Sequence, residues 1–344
     1  MTFPTLPPPG DLPAIGINID GVLEHDGLPT PDAATRFAWI RACGAFDYIE
    51  KNIDPSEDFA PWFDLVERHG VPIGVFGGIF RAGADEALMR QGLATGGRLG
   101  ARLFNIQLHD RHADGHHLSD EEVARFYADA FEHGQRSGCL PSFEVHVDMW
   151  NERFHRVEAV AERLARSGLP MRLTLDPSHL IFKIDDPAEL ALSEVDGELD
   201  GGRTWLAPGG ARCLWRRWLD EGWVVHAHAR SVATGPGPNP LTRRRDGRPG
   251  RSIQYPFVRP PAGTFPGIWE EDRLAVWKRT MHELLDDMRA RPACTPRQIS
   301  CEFIPFPDYG GGLRCSIMDS NLACAAWLRQ AWGWRMPPQA APSA

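Results

Sequence analysis

Carboxylates and imidazoles sit inside or just beyond apolar runs at four places in the second half of the chain. These are Phe143-Glu144-Val145-His146-Val147-Asp148, Leu175-Asp176-Pro177-Ser178-His179, Val225-His226-Ala227-His228-Ala229-Arg230 and Ser300-Cys301-Glu302-Phe303. A buried carboxylate is costly unless it is paired or holds a metal. Residues two apart on a strand share a face, which groups Glu144, His146 and Asp148, and likewise His226 with His228. If one face of each run lines a common mouth, Glu144, Asp176, His228 and Glu302 converge from four neighbouring strands. Three carboxylates and one imidazole make a mixed oxygen–nitrogen set of charge −3. That set suits one divalent ion, Mn²⁺ first, with Mg²⁺, Co²⁺ or Zn²⁺ as alternatives. Glu50 and His109 close two earlier apolar runs and are further candidates for the same mouth.

The elements that must carry these residues follow a βα alternation. Strand-like runs are expected at Ala14–Ile19, Phe46–Glu50, Val71–Phe76, Leu103–His109, Ser142–Asp148, Arg172–Asp176, Val224–His228 and Ile299–Phe303. Helical periodicity fills the gaps at Asp32–Cys43, Ser56–His69, Asp85–Leu99, Ser119–Ser137 and Asn151–Ser167, and returns near Glu270–Ala290. Ser119 followed by Glu122 is a capping box. Gly44, Gly70, Gly100, Gly138 and Gly168 each follow a helix, where a left-handed cap suits glycine. Eight strands each followed by a helix predict an α/β fold, a single (β/α)8 TIM barrel over 14–335. A Pro-rich extension (1–13) precedes it, a loose tail (336–344) follows it, and long insertions fall at about 180–222 and 231–270. The competing open doubly wound sheet lacks its signature, because Asn18-Ile19-Asp20-Gly21 stands where a G-x-G-x-x-G would follow the first strand. In a barrel the active site lies at the carboxyl ends of the strands, where these polar groups fall.

The order Glu, then Asp-x-x-His, then His, then Glu at the ends of strands five to eight resembles the xylose-isomerase-like barrels. It is especially similar to the sugar phosphate isomerase/epimerase branch that includes tagatose 3-epimerase and hydroxypyruvate isomerase. The resemblance implies that Glu144, Asp176, His228 and Glu302 hold the metal. It also implies that the two glutamates act as acid and base on opposite faces of the substrate, that His179 touches substrate oxygens and that Arg230 approaches its polar groups. The choice of His228 over His226 rests on this likeness, and His226 is expected behind the ligands. The implied activity is isomerisation or epimerisation of a sugar or sugar derivative by proton transfer through a metal-stabilised enediolate. Elimination by a lyase or dehydratase, or cleavage of a C-glycoside, is the alternative on the same barrel. The related AP endonucleases add a His at strand three and an Asp-x-His after strand seven. Here the third strand reads Val75-Phe76-Gly77-Gly78, no His falls between His228 and His282, and Asp110-Arg111-His112 follows strand four.

Composition bounds the rest. The 344 residues carry 37 Lys+Arg against 46 Asp+Glu, a formal charge of −9, which disfavours sequence-independent nucleic-acid binding. No apolar run is long enough to span a membrane. Seven scattered Cys without C-x-x-C read as reduced thiols. With no signal-peptide pattern at the N-terminus, the expectation is a cytoplasmic protein. The expected partner is a small carbohydrate-like molecule. The long segment between His228 and Glu302 is a lid, a specificity loop or a contact in a homo-oligomer. Bland readings stand beside the sharp ones. Glu50 is a site residue or a strand-end ion pair, and His109 a substrate contact or a loop imidazole. His146 meets substrate or orients a ligand. Asp148 meets substrate or caps the helix near Asn151, and Trp150 stacks on a sugar or packs in the core. His116-His117 are a solvated pair. The Arg243–Arg251 run is a solvated loop or a lure for an anionic substrate.

Overall fold

The computed structural model describes residues 12–291 and 298–333. Nearly all of the Pro-rich extension and the whole tail lie outside these residues. Eight strands form a closed parallel barrel: β1 (Ala14–Asn18), β2 (Tyr48–Asn52), β3 (Ile73–Phe80), β4 (Leu103–Leu108), β5 (Leu140–Glu144), β6 (Leu173–Leu175), β7 (Val224–Ala229) and β10 (Gln298–Cys301). The two remaining strands, β8 (Pro238–Arg243) and β9 (Pro249–Arg251), form an antiparallel hairpin of their own. All eight expected runs are barrel strands and the sheet closes by pairing β10 with β1, so the doubly wound alternative is excluded.

The helices begin and end where local chemistry dictates. Ser119 and Glu122 make the reciprocal capping box at the start of the helix Asp120–Ser137. Gly44, Gly70 and Gly138 are left-handed caps, while Gly100 and Gly168 take positive φ one residue past the cap. The floor of the barrel is filled from β2. The Tyr48 ring lies against Gly16 and Gly74, where a Cβ would stand 2.2 Å and 2.5 Å from ring atoms. Its hydroxyl reaches Ser300 Oγ at 2.9 Å, and a polar layer of Ser300, His226, Thr174 and Ser142 continues across the interior.

Three expectations change. β5 begins and ends earlier than the sequence suggests, closing at Glu144, so residues 145–149 form a loop rather than a continued strand. Glu144, His146 and Asp148 therefore do not share a strand face, and Asp148 is exposed with φ 61°. Asp148 caps no helix: its N–H donates to Glu152 and its carboxylate pairs with Arg244. β3 runs four residues beyond Phe76, to Phe80. The Arg243–Arg251 run is a hairpin turn and strand rather than an open loop.

The segment between β6 and β7 folds into the short helices Ser178–Ile181, Pro187–Leu192, Arg203–Leu206 and Leu214–Asp220. The β8–β9 hairpin docks on the segment that follows β10. Asn239 donates to the Pro307 and Gly311 carbonyls, and the Arg251 N–H donates to Asp308. A buried ion network ties it down from the other side. Arg251 pairs with Glu152 and Glu189, and Lys183 Nζ lies 2.7 Å from Glu152 and 3.1 Å from Glu189. No helix among the described residues is long and apolar enough to cross a membrane.

Candidate metal centre

Each side chain of the candidate group is presented by the carboxyl end of its strand. Glu144 is the last residue of β5, Asp176 follows β6, His228 lies near the end of β7 and Glu302 follows β10. All four are buried, and one ligand atom from each lies within 4.8 Å of the others. His228 Nδ1 stands 2.8 Å from Glu302 Oε2 and 3.3 Å from Glu144 Oε1. Among the described residues this group could hold a metal ion.

What fixes the inward-facing atoms is the hydrogen bonding of their outward-facing partners. Asn105 and Gln107 on β4 both donate to Glu144 Oε2, at 2.6 Å and 2.7 Å. Asn18 donates to Glu302 Oε1 at 3.1 Å, and the Ser178 N–H donates to Asp176 Oδ1 at 2.8 Å. Glu50 Oε1 lies 3.0 Å from His228 Nε2, which assigns that nitrogen as the donor and turns Nδ1 to the centre. The consequence is specific: Glu144 Oε1, His228 Nδ1 and Glu302 Oε2 are buried and make no hydrogen bond, although His228 Nδ1 and Arg230 lie within ion-pair distance of Glu302 Oε2. Buried polar atoms are almost always satisfied, so three orphans aimed at one point call for a cation. Oxygen and imidazole donors in this proportion fit a hard or borderline divalent ion.

The fourth inward atom, Asp176 Oδ2, carries Arg230, whose NH1 also lies 3.3 Å from Glu302 Oε2. Arg230 is itself buried, with its guanidinium 3.9 Å from the centroid of the Tyr309 ring. His179 Nε2 is 2.8 Å from Arg230 and 3.4 Å from Asp176, and its ring centroid is 4.0 Å from that of His146. The Tyr309 hydroxyl meets His146 Nε2 at 2.7 Å.

Charges follow from this crowding. Burial pushes the Asp176 carboxyl up, against the pull of Arg230. Burial works to lower the His228 imidazole, but Glu302, Glu50 and Glu144 outweigh it and hold it well above its ordinary value. His179 is held well below its ordinary value by burial and by His146 and Arg230. His226, sealed under the cluster, drops to about 4 by burial. The centre therefore favours positive charge, while His179 above it and His226 beneath it stay neutral.

The expected site residues divide into those the structure gathers and those it does not. Glu144, Asp176, His228, Glu302, His179, Arg230 and His146 form one cluster. Glu50 and His226 back it, Glu50 behind His228 and His226 in the layer below. His109 stands apart on a half-buried loop position paired with Met149. Trp150 is buried in the core against Phe143 and does not reach the mouth. His116 and His117 lie in exposed ion pairs with Asp114, Glu122 and Asp110. Asn105, Gln107, Asn18 and Tyr309 escaped sequence reasoning. Asn105 and Gln107 left a signal, two amides spaced by two within the apolar run Leu103–Leu108. Asn18 left a weaker one at the end of β1, and Tyr309 left none.

Fold and site together define a closed parallel barrel with a buried carboxylate–imidazole cluster at the carboxyl ends of its strands. No protein-family profile matches the chain, and no curated protein sequence is similar to it. Solved structures share its fold. A D-psicose 3-epimerase from Clostridium cellulolyticum H10, solved with D-tagatose, superposes with TM-score 0.52 at 11% identity over 93% of this chain and 99% of that one. An L-ribulose 3-epimerase gives 0.50 at 15% identity over 94% and 95%. A xylose-isomerase-like TIM-barrel protein from Mycobacterium smegmatis, in complex with magnesium, gives 0.50 at 12% identity over 93% and 98%. The chain thus shares the closed (β/α)8 barrel fold of these structures.

Proposed function

We propose that the chain is a divalent-metal-dependent isomerase or epimerase of a sugar or sugar derivative. The observation that carries this reading is the convergence of the three orphaned atoms with Asp176 Oδ2 at the barrel mouth. Glu144, Asp176, His228 and Glu302 would hold the ion. When bound, a divalent ion supplies Lewis-acid stabilisation of the negative charge that develops on substrate oxygens as an α-proton leaves.

The chain's own residues account for the proton. Glu144 and Glu302 flank His228 Nδ1 from two sides, so two carboxylates border the space where a substrate α-carbon would lie. One takes the proton and the other returns one, to the opposite face for epimerisation or to the adjacent carbon for isomerisation. Asn105 and Gln107 keep Glu144 from rotating, and Asn18 does the same for Glu302. Arg230 and the neutral His179 donate to substrate oxygens, and Tyr309 orients His146 beside them. The cluster residues are buried, which strengthens every charge interaction among them. The fold-sharing epimerases lend the reading support as analogy.

The test is incorporation of solvent deuterium at the α-carbon of ketose substrates by Mn²⁺-loaded protein. Glu144→Gln and Glu302→Gln should each lower exchange by about 100-fold or more while the circular dichroism spectrum stays native. Exchange that survives both changes removes these groups from the acid–base role. Elemental analysis should find one divalent ion per chain in the native protein.

A further inference from the structure

Beside the buried cluster the barrel mouth carries a second concavity. A cleft of about 330 Å³ opens between Arg81 after β3, His109 and Arg111 after β4, and Met149, Glu152 and Arg153 after β5. These are carboxyl ends of strands, the same end of the barrel that presents Glu144. Asp110 and Asp148 also line the cleft, so it holds three basic and three acidic side chains.

The acids are already committed. Asp110 is met by Arg156 at 3.1 Å, Arg153 at 3.3 Å and His117 at 2.6 Å. Asp148 pairs with Arg244. Glu152 is held by Lys183 at 2.7 Å and Arg251 at 2.6 Å. Most of those cations lie outside the cleft, and Arg153 is spent on Asp110. Arg81 and Arg111 are different. Neither makes an ion pair with any described residue. Arg81 NH1 donates to the Arg111 carbonyl at 3.3 Å and Arg111 NH1 to the Gly115 carbonyl at 2.8 Å. Two guanidiniums without counter-charge thus stand at one wall of a cleft in a chain of net charge −9. The cleft lies at the same end of the barrel as the buried cluster, along the loops that follow β4 and β5. His109 lines the cleft and pairs through its backbone with Met149, three residues past His146. The His146 ring lies against His179, which meets Asp176.

We propose that this cleft seats an anionic group, carboxylate or phosphate, carried by the substrate away from its reacting carbons, with Arg81 and Arg111 as its charge partners. A guanidinium presents its N–H groups in a fork that matches either group. His109, whose imidazole is pushed down by burial, adds a hydrogen bond at the same wall. The inference rests on the isomerase/epimerase reading and narrows its substrate to sugar acids or sugar phosphates.

Two measurements test it, one of them independent of catalysis. Calorimetric titration with inorganic phosphate, D-fructose 6-phosphate, D-fructuronate and D-fructose should show binding of phosphate and of at least one anionic ketose, weakening as salt rises. Arg81→Gln and Arg111→Gln should each weaken that binding by about tenfold or more. Arg90→Gln, on the outer face of the helix Glu86–Arg98, should not change it. Whichever ketose binds more tightly identifies phosphate or carboxylate as the group. D-fructose binding as well as both anionic ketoses, or anion binding unaffected by loss of Arg81 and Arg111, overturns the inference. Deuterium incorporation into the three ketoses separates it from the underlying reading. If Arg81- and Arg111-dependent anion binding occurs but no ketose takes up deuterium, the cleft stands and the proposed reaction falls. If D-fructose exchanges as readily as its anionic relatives, the reaction stands and the cleft assignment falls.

Discussion

Glu50 and Asn105 touch only the backs of the groups that converge at the barrel mouth, so changing them separates holding an ion from moving a proton. Glu50→Gln keeps an acceptor for His228 Nε2 but removes the charge that makes Nδ1 a better donor to a cation. Asn105→Leu strips one of the two donors from Glu144 Oε2 and leaves Gln107 to restrain it alone. Each change should weaken Mn²⁺ binding by about 10- to 100-fold in a chelator-competition titration. Asn105→Leu should also cost roughly 1–3 kcal/mol of stability, because a buried carboxylate loses a hydrogen bond. Unchanged ion affinity in both variants would mean that the cluster does not hold the ion. The convergence of Glu144, Asp176, His228 and Glu302 was legible because charge inside an apolar run is anomalous on its face. Their supports were harder to see. Asn105 and Gln107 left a readable spacing, whereas Tyr309 sits in an irregular segment and reaches His146 only through tertiary folding. For Trp150 the packing reading is the one the structure shows: the loop after β5 turns the indole into the core.

The elements divide in the same way. Barrel strands are buried on both faces and read as apolar runs, and glycines mark where the helices stop, so β1–β7 and β10 could be found from sequence. The hairpin could not: Pro238-Asn239-Pro240-Leu241-Thr242-Arg243 has neither alternation nor β-branched density. Tertiary contacts hold it: Asn239 and the Arg251 N–H bond to the segment after β10, and Arg251 reaches Glu152 and Glu189. This attachment has a pH dependence whose sign can be worked out. Burial alone would raise Glu152, but Lys183 and Arg251 overcome it and bring its pKa from 4.5 down to about 2. Its folded pKa is depressed, so its contribution is present in full above about 4.5 and is lost as pH falls from there through about 2. Protection of the Arg251 and Ile253 amides, whose N–H groups bond to Asp308, should therefore fall between pH 4.5 and pH 2 more than protection in the barrel strands. Arg251→Leu should bring that loosening to neutral pH and cost about 3 kcal/mol, since Glu152 and Glu189 would keep only Lys183. Equal protection of hairpin and barrel across this pH range would show that backbone contacts, not the ion network, hold the hairpin.

For the whole molecule, a buried cluster rich in carboxylates predicts a fold that a cation would stabilise. Glu50, Glu144, Asp176 and Glu302 stand buried together, with Arg230 and His228 as their only close cations among the described residues. Like charges at this separation in a low-dielectric interior repel strongly. An ion that binds only the folded state stabilises it by about 2.7 kcal/mol at a hundredfold excess over its Kd. Scanning calorimetry should therefore show Tm rising by several degrees with Mn²⁺ and falling again with chelator. Reductant should leave Tm unchanged, because Cys43, Cys139, Cys213, Cys301, Cys315 and Cys324 are all free thiols. Glu302→Gln gives the sharper outcome, since it moves the two states in opposite directions. Removing one carboxylate relieves repulsion, so without added ion the variant should melt at or above the wild-type temperature. Removing one ligand costs the ion its grip, so the Mn²⁺-dependent rise should shrink or vanish. A variant that melts lower than wild type without ion, yet keeps the full rise with it, would place Glu302 in a structural ion pair with Arg230 and outside the metal centre.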